Sequence, residues 1–404
     1  MTFADSLRLA ADRRGVVLPP AQHPEPLAPL DYAEELGLKG EALTSFWQEH
    51  RLPGRPEAVV AAQVPRGYRT TTKRRATTTA GRLALTFPGV APAANRLAAS
   101  ALDPPEHLAV YAFLRERLDR PGSRALGPVL NWAIVRGSAG SLAVILNVRV
   151  FDARVVRAGK LLAEGLQEPR LGVRAAFLYL DPTGSDYYLE AKRPARTLSF
   201  KRLFGPDWLQ VEVDGVKLRF PPTVFSQVNG PMLGTMASAA GGLLEPLAGR
   251  DLLDLYCGYG LFSLTVGREA TRVLGVDLDG PAIEAARGNA EHLGCADRVR
   301  FLAGRIDRSF LVDRLRPAHG PEAVLLDPPR QGTEADVAAV IAARGPERVV
   351  HICCGTDEIP REVAAWAQAG YALRRAVPLD LFAGTANLET MLLLAPSPRE
   401  RRSP

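Results

Sequence analysis

The stretch Asp251–Gly260, DLLDLYCGYG, decides how this chain is read. Leu252, Leu253 and Leu255 form a short apolar strand, Tyr256-Cys257 leave it, and the chain turns on Gly258 and Gly260 before LFSLTVGREA, whose composition predicts a helix. A buried strand, a glycine turn and a helix are the parts of a nucleotide pocket in a doubly wound sheet. The glycines admit a ligand close to the backbone, and the helix N-terminus offers N–H groups. The next strand, Arg272–Asp279 (RVLGVDLD), ends in carboxylates. Asp277 falls about 20 residues past the glycines, the separation at which an acidic residue binds ribose hydroxyls. The dinucleotide fingerprint breaks at its third glycine, where Ser263 stands. That disfavours a pyrophosphate ligand, and with it a dehydrogenase. A nucleoside ligand such as S-adenosylmethionine (SAM) fits better.

Outward from this stretch, strand and helix alternate with βαβ rhythm. Strands are predicted at LLDLYC, RVLGVDL, VRFLAG, AVLLDPP, RVVHICC, ALRRAVPL and ETMLLLA, and helices at PAIEAARGNAEHLG, EADVAAVIAARG and REVAAWAQAG. The fold class is α/β: a seven-stranded, Rossmann-like sheet over residues 231–395, closed by antiparallel strands. Residues 56–230 read as an α+β region, with a hairpin turn at SAG and another at Asp214-Gly215. Residues 1–55 read as a helical, proline-rich N-terminal extension, and 396–404 as a disordered tail.

The 404 residues suit two or three domains, and a hydrophobic content of 47% with 23% charged residues suits a soluble globular protein. A net charge of +6 permits an anionic partner without demanding one. The four cysteines are Cys257, Cys295, Cys353 and Cys354, so the first half can hold no cysteine cluster and the spacing matches no metal framework. No metal is expected. MTFADSLRLAADRRG lacks an apolar signal core, and no apolar run approaches the ~20 residues of a membrane span. The expectation is a cytoplasmic monomer with reduced thiols.

Four segments carry chemistry. Asp327-Pro328-Pro329-Arg330 ends an apolar strand, and its prolines force a rigid exit that sets a carboxylate at the pocket lip. Cys353-Cys354 ends another. Neighbours on a strand face opposite ways, so one thiol meets the core and the other the mouth. A thiolate there is a nucleophile suited to soft carbon such as C6 of a pyrimidine. Glu389 enters the last strand amid apolar text, where a carboxyl of raised pKa can act as a general base. In VFSQVN, the amide of Gln227 can donate and accept. Separately, RGYRTTTKRRATTTAGR groups Arg69, Lys73, Arg74 and Arg75 among hydroxyl side chains, and KRPARTLSFKR follows at Lys192–Arg202. Such groups bind phosphates, or else guard an exposed sheet edge.

Taken together, FSQVN, DLYCGYGLFSL, LLDPPRQG, the cysteine of HICC and DLFAGTANLET resemble, in order and spacing, the RNA uridine-5 methyltransferase family. The resemblance covers residues 220–395. It implies a class I SAM-dependent fold preceded by an RNA-binding region, with Cys354 as nucleophile and Glu389 as base. Gln227, Tyr256, Asp277 and Asp327, with Gly258 and Gly260, would line the SAM site. Arg69, Lys73, Arg74, Arg75 and Arg330 would contact RNA. The product would be 5-methyluridine in tRNA or 23S rRNA. Where the family has Ser-Cys-Asn-Pro, this chain has Cys353-Cys354-Gly355-Thr356, and His351 replaces a tyrosine. The missing N-terminal cysteines, and no TRAM barrel that can be read, make the chain resemble the pared-down, tRNA-directed type without an iron–sulfur cluster. Two other readings compete: an RNA cytosine-C5 methyltransferase, and a non-catalytic RNA-binding protein that keeps the fold.

Overall fold

The computed structural model describes residues 1–20, 23–79, 82–87, 100–184, 200–278 and 280–398. Asp279, most of the basic stretch Lys192–Arg202 and the tail from residue 399 lie outside the described residues. The chain forms two compact units. One comprises Met1–Pro65, Glu212–Leu218 and Pro231–Pro404, the other Arg66–Val211 and Arg219–Gly230.

The first unit opens with helices α1 (Phe3–Arg14) and α2 (Tyr32–Glu49). Thr2 and Asp5 cap α1 reciprocally, and the Asp31 side chain accepts from the Ala33 N–H at the start of α2. These helices, expected as an extension, bury Phe3, Leu7, Leu38 and Phe46 in one core with Leu253, Val324, Cys353 and Leu392.

The second unit is an α+β layer. Strands β1 (Thr71–Thr79), β2 (Arg82–Thr86), β3 (Leu130–Arg136), β4 (Leu142–Val148), β5 (Val173–Leu180) and β6 (Phe200–Phe204) form a sheet in the order β2-β1-β3-β4-β5-β6. Helices α3 (Pro105–Leu118) and α4 (Ala153–Leu166) belong to the same unit. The α4 helix buries Val155, Ala158, Leu162 and Leu166, a stripe at helical spacing, and joins the parallel pair β4–β5. The SAG turn links antiparallel β3 and β4 as expected. Farther on, β7 (Leu209–Val213) and β8 (Val216–Phe220) pair through Asp214 and Gly215. Both turn residues have positive φ (49° and 78°), the two-residue geometry that matches strand twist.

The rest of the first unit carries α5 (Leu233–Leu244), β9 (Asp251–Leu255), α6 (Leu261–Thr265), β10 (Arg272–Asp277), α7 (Gly280–His292), β11 (Val299–Ala303), α8 (Arg308–Arg314), β12 (Glu322–Leu326), α9 (Val337–Ala343), β13 (Arg348–Cys353), α10 (Ile359–Gln368), β14 (Tyr371–Leu379) and β15 (Glu389–Pro396). Its seven strands run β11-β10-β9-β12-β13-β15-β14. Strands β9 to β13 pair in parallel, and β15 lies antiparallel between β13 and β14. The chain builds β9, β10 and β11 in one direction, then crosses to β12 on the other side of β9. Ligands bind at such a switch point, beyond the carboxyl ends of the strands. Those ends carry the glycine turn (β9), Asp277 (β10), Asp327 (β12) and Cys354 (β13). The helix expected at LFSLTVGREA is only Leu261–Thr265, followed by a single 3-10 turn, so its N-terminus gives less dipole than expected.

Candidate active site

After β9 the backbone enters the left-handed region at Tyr256 (φ 63°), Gly258 (56°) and Gly260 (88°). A tyrosine there costs roughly 1–2 kcal/mol, and such strain collects where a ligand is held. The Gly258 N–H donates to Asp277 Oδ2 at 2.9 Å, tying the turn to the carboxylate of the neighbouring strand. A Cβ on Gly258 would meet nothing within 4 Å, whereas one on Gly260 would press on Leu264 Cδ1 at 3.0 Å and Phe301 Cζ at 3.1 Å. Gly258 thus leaves clearance above the turn, and Gly260 lets the turn close on the core.

Sequence reasoning missed a residue behind this turn. Ser263, noted only as a lost glycine, donates to Oδ2 of the fully buried Asp254 at 2.5 Å. Burial pushes the Asp254 carboxyl up to about 7; the Ser263 bond opposes this, and Asp327 and Asp277 add to it. A strand aspartate followed by a serine at the helix start was the available signal.

Cys354 and Glu389 come together at the ends of two neighbouring strands. Cys353 pairs with Thr390 as the last pair of β13 and β15; Cys354 follows Cys353 just beyond β13, and Glu389 precedes Thr390 at the start of β15. Cys353 is buried in the core, and Cys354 is half-buried. Burial, Glu389 and Asp327 push the Cys354 thiol up to about 12, against the pull of Arg330. Glu389 is 0% exposed, and among the described residues neither of its side-chain oxygens has a hydrogen-bond partner. Burial first, then Asp327, raises its carboxyl well above the ordinary range, and Arg330 again opposes. Asp327 and Arg330 therefore act on both groups. The arrangement can deliver a thiol to an electrophilic carbon and move a proton at the same place.

The loop after β12 is latched to α10. Glu362 accepts from the Thr333 hydroxyl (2.8 Å), the Thr333 N–H (3.2 Å) and Arg361 (2.7 Å), and Arg361 also donates to the Gln331 carbonyl (2.5 Å). Gly332 (φ 74°) fits beneath them, since a Cβ there would clash with the Arg361 and Glu362 side chains. His351, in the family's tyrosine position, accepts from Trp366 Nε1 at 3.0 Å, and burial holds it neutral with a pKa near 4. Both it and Cys353 face inward. Asp327 is half-buried at the loop start, and Arg330 is exposed.

The remaining predicted residues belong to the second unit. Gln227 is half-buried there, its carbonyl accepting from the Thr70 hydroxyl at 3.0 Å. Arg69 is half-buried, Lys73 lies 4.7 Å from the Trp132 ring centre, and Arg75 is exposed 5.5 Å from the same ring. Arg74 contradicts the expectation of RNA contact. It is 1% exposed, ion-pairs with buried Asp103 and lies over the rings of Tyr111 and Phe87. Strand alternation turns it inward between its two neighbours, where no phosphate reaches. Among the described residues no cluster of His, Cys, Asp or Glu could hold a metal ion, and no helix is long and apolar enough to cross a membrane.

Comparison with known proteins follows these lines. Residues 189–397, just over half the chain, match the family model described as tRNA (uracil-5-)-methyltransferase. The 23S rRNA (uracil(1939)-C(5))-methyltransferase RlmD of Pasteurella multocida is 33% identical over 180 residues, 45% of this chain and 40% of that protein. The RlmD of Alkalilimnicola ehrlichii is 37% identical over 178 residues, 44% and 39% of the two chains. The match thus spans about two fifths of the length of these curated relatives. The crystal structure of Pyrococcus abyssi tRNA (uracil-54, C5)-methyltransferase with S-adenosyl-L-homocysteine superposes with a TM-score of 0.65 at 19% identity, covering 92% of this chain and 85% of that one. The fold is that of a class I methyltransferase.

Proposed function

The chain belongs to the tRNA (uracil-5-)-methyltransferase family, and we propose that it is a SAM-dependent RNA methyltransferase that makes 5-methyluridine through a covalent Cys354 adduct. The observation that carries this reading is that Cys354, just after β13, and Glu389, at the start of neighbouring β15, lie close enough for Glu389 and Asp327 both to act on the thiol. A binding protein needs neither group there.

When bound, SAM supplies an electrophilic methyl on a positively charged sulfur. Asp277, held by Gly258, suits the ribose hydroxyls, and Tyr256 and Asp327 border the same crevice. Gln227 is assigned to this ligand from its amide chemistry alone. Uracil C5 is a poor nucleophile unaided. The Cys354 thiol gives its proton to solvent, the thiolate forms a bond to C6, and the displaced electron pair makes C5 an enolate carbon that takes the methyl. Glu389, ionised at this stage, removes the C5 proton. The released pair re-forms the C5–C6 double bond, and the C6–sulfur bond breaks to return the thiolate. The raised pKa of Glu389 matches the task of taking a proton from carbon. The target base must leave its stack to reach the pocket. Arg69, Lys73 and Arg75 in one unit, and Arg330 in the other, are assigned to flanking phosphates of a tRNA or 23S rRNA.

The test is transfer of labelled methyl from SAM to RNA lacking this modification, with separate tRNA and rRNA fractions and nucleoside analysis. Labelled 5-methyluridine is expected, and the labelled fraction identifies the substrate class. Labelled 5-methylcytidine would replace the base assignment, and no label with SAM bound would overturn the activity.

A further inference from the structure

Glu389 has no hydrogen-bond partner of its own among the described residues, so its backbone must place it. On one side that backbone is β15. On the other it is the loop Asp380–Leu388, and the first 65 residues grip the half of this loop that adjoins β14.

Lys39 is the centre of the grip. Its side chain is 0% exposed, and an unpaired ammonium in that position would be strongly destabilising. Its Nζ donates to Asp380 Oδ1 at 2.6 Å and to the Phe382 carbonyl at 3.3 Å, and lies 2.8 Å from Glu35 Oε1. The same Glu35 oxygen accepts the Gly384 N–H at 2.5 Å. Tyr32 donates to Asp380 Oδ2 at 3.0 Å and accepts from the Ala62 N–H. Backbone bonds extend the hold: Leu27 N–H to the Gly384 carbonyl (3.1 Å) and Asp380 N–H to the Val60 carbonyl (2.9 Å). At the other end, the Phe3 N–H donates to Asp357, on the turn after Cys354. The segment therefore touches the chain at Asp357, three residues after Cys354, and at Gly384, five residues before Glu389. It also lies wholly outside the region that matches the family model.

Replacing a buried charge cluster by neutral side chains is often harmless to stability. What such a cluster supplies uniquely is direction: each bond fixes one atom of the loop. We propose that residues 1–65 are a built-in brace for the catalytic loops, in which Lys39 and Glu35 are positioning residues that hold Asp380–Gly384, and through it Glu389, in place to remove the proton. The inference rests on the proposed function for the role of Glu389, but the grip itself does not.

The test uses the full chain carrying Glu35→Gln, Lys39→Met and Asp380→Asn together, which removes the charges and keeps the volume. SAM affinity should stay within about twofold while kcat falls about 10- to 100-fold, the size expected for a group displaced by about 1 Å. Methylated RNA should accumulate as a covalent adduct, and the amides of residues 380–388 should exchange hydrogen faster. Unchanged exchange, or unchanged kcat without adduct in an active parent enzyme, overturns the brace. Faster exchange with no methylation by the parent on any RNA would instead overturn the proposed function and leave the grip standing. Should the triple variant not bind SAM, Tyr32→Phe removes one hydroxyl contact. Faster exchange of the same loop at unchanged SAM affinity is then expected, and unaltered exchange overturns the proposal.

Discussion

Strands β1 and β13 both set chemically alike residues side by side, and the pleat sends the neighbours to opposite faces. At the end of β13, Cys353 enters the core, and Cys354 follows half-buried where its thiol feels the charge of Glu389. On β1, Lys73 and Arg75 lie over Trp132 while Arg74 turns inward to Asp103. The two strands differ in what burial costs. A thiol is a small, nearly apolar group, so the inner cysteine needs no partner. A guanidinium needs a carboxylate and polarisable surroundings, and Arg74 has both in Asp103 and two rings. The inward member therefore needs no partner at the end of β13 and is an ion-paired structural residue on β1.

The largest effect that could break this comparison is at the thiols. Cys354→Ala should lower methyl transfer by at least about 10^4-fold with SAM still bound, as loss of a nucleophile does. Cys353→Ala should keep activity and cost roughly 1 kcal/mol of stability. The reverse ranking would mean that the inward thiol reacts. Next comes the inner cation: Arg74→Met strands Asp103 and should cost about 3–5 kcal/mol in denaturant unfolding. An Arg74 variant that unfolds like the parent yet binds RNA poorly would return this residue to the RNA surface.

A smaller effect concerns pH. Arg330 pulls the Cys354 thiol down, so Arg330→Gln should let it rise further. Less thiolate is then present at any given pH, and the rising limb of the single-turnover rate should move to higher pH, with a rate roughly twofold to tenfold lower near neutrality. A limb that moves to lower pH contradicts the assignment. Smallest is the outer face of β1, where Lys73→Ala and Arg75→Ala should each lower the salt slope of RNA binding by about 1 with little change in stability.

The seven-stranded sheet was legible because each strand is a short apolar run ending in a chemically distinctive residue, and its antiparallel closure appears in β15. The nearness of Cys354 and Glu389 was legible only as a family pattern, since which strands neighbour each other is not written in either. Asp254 escaped notice because its purpose depends on Ser263, which looked like a missing glycine. The inward turn of Arg74 is not legible because three adjacent cations do not show which of the alternating positions faces the core. Residues 1–55 are legible as helical but carry no sign of a chemical role. Glu35 and Lys39 stand at i and i+4 on a helix, the pattern of an ordinary surface pair, and only Asp380, 341 residues away, reveals that they are buried.

The measurement that tests the central claim most directly is denaturing electrophoresis of the Glu389→Gln enzyme after incubation with SAM and substrate RNA. Without its base, the enzyme should methylate C5 but fail to remove the proton, so a covalent protein–RNA band should accumulate. That band should vanish when Cys354→Ala is added and persist when Cys353→Ala is added instead. No band despite bound SAM, or a band that survives the loss of Cys354, would contradict the pairing of these two residues.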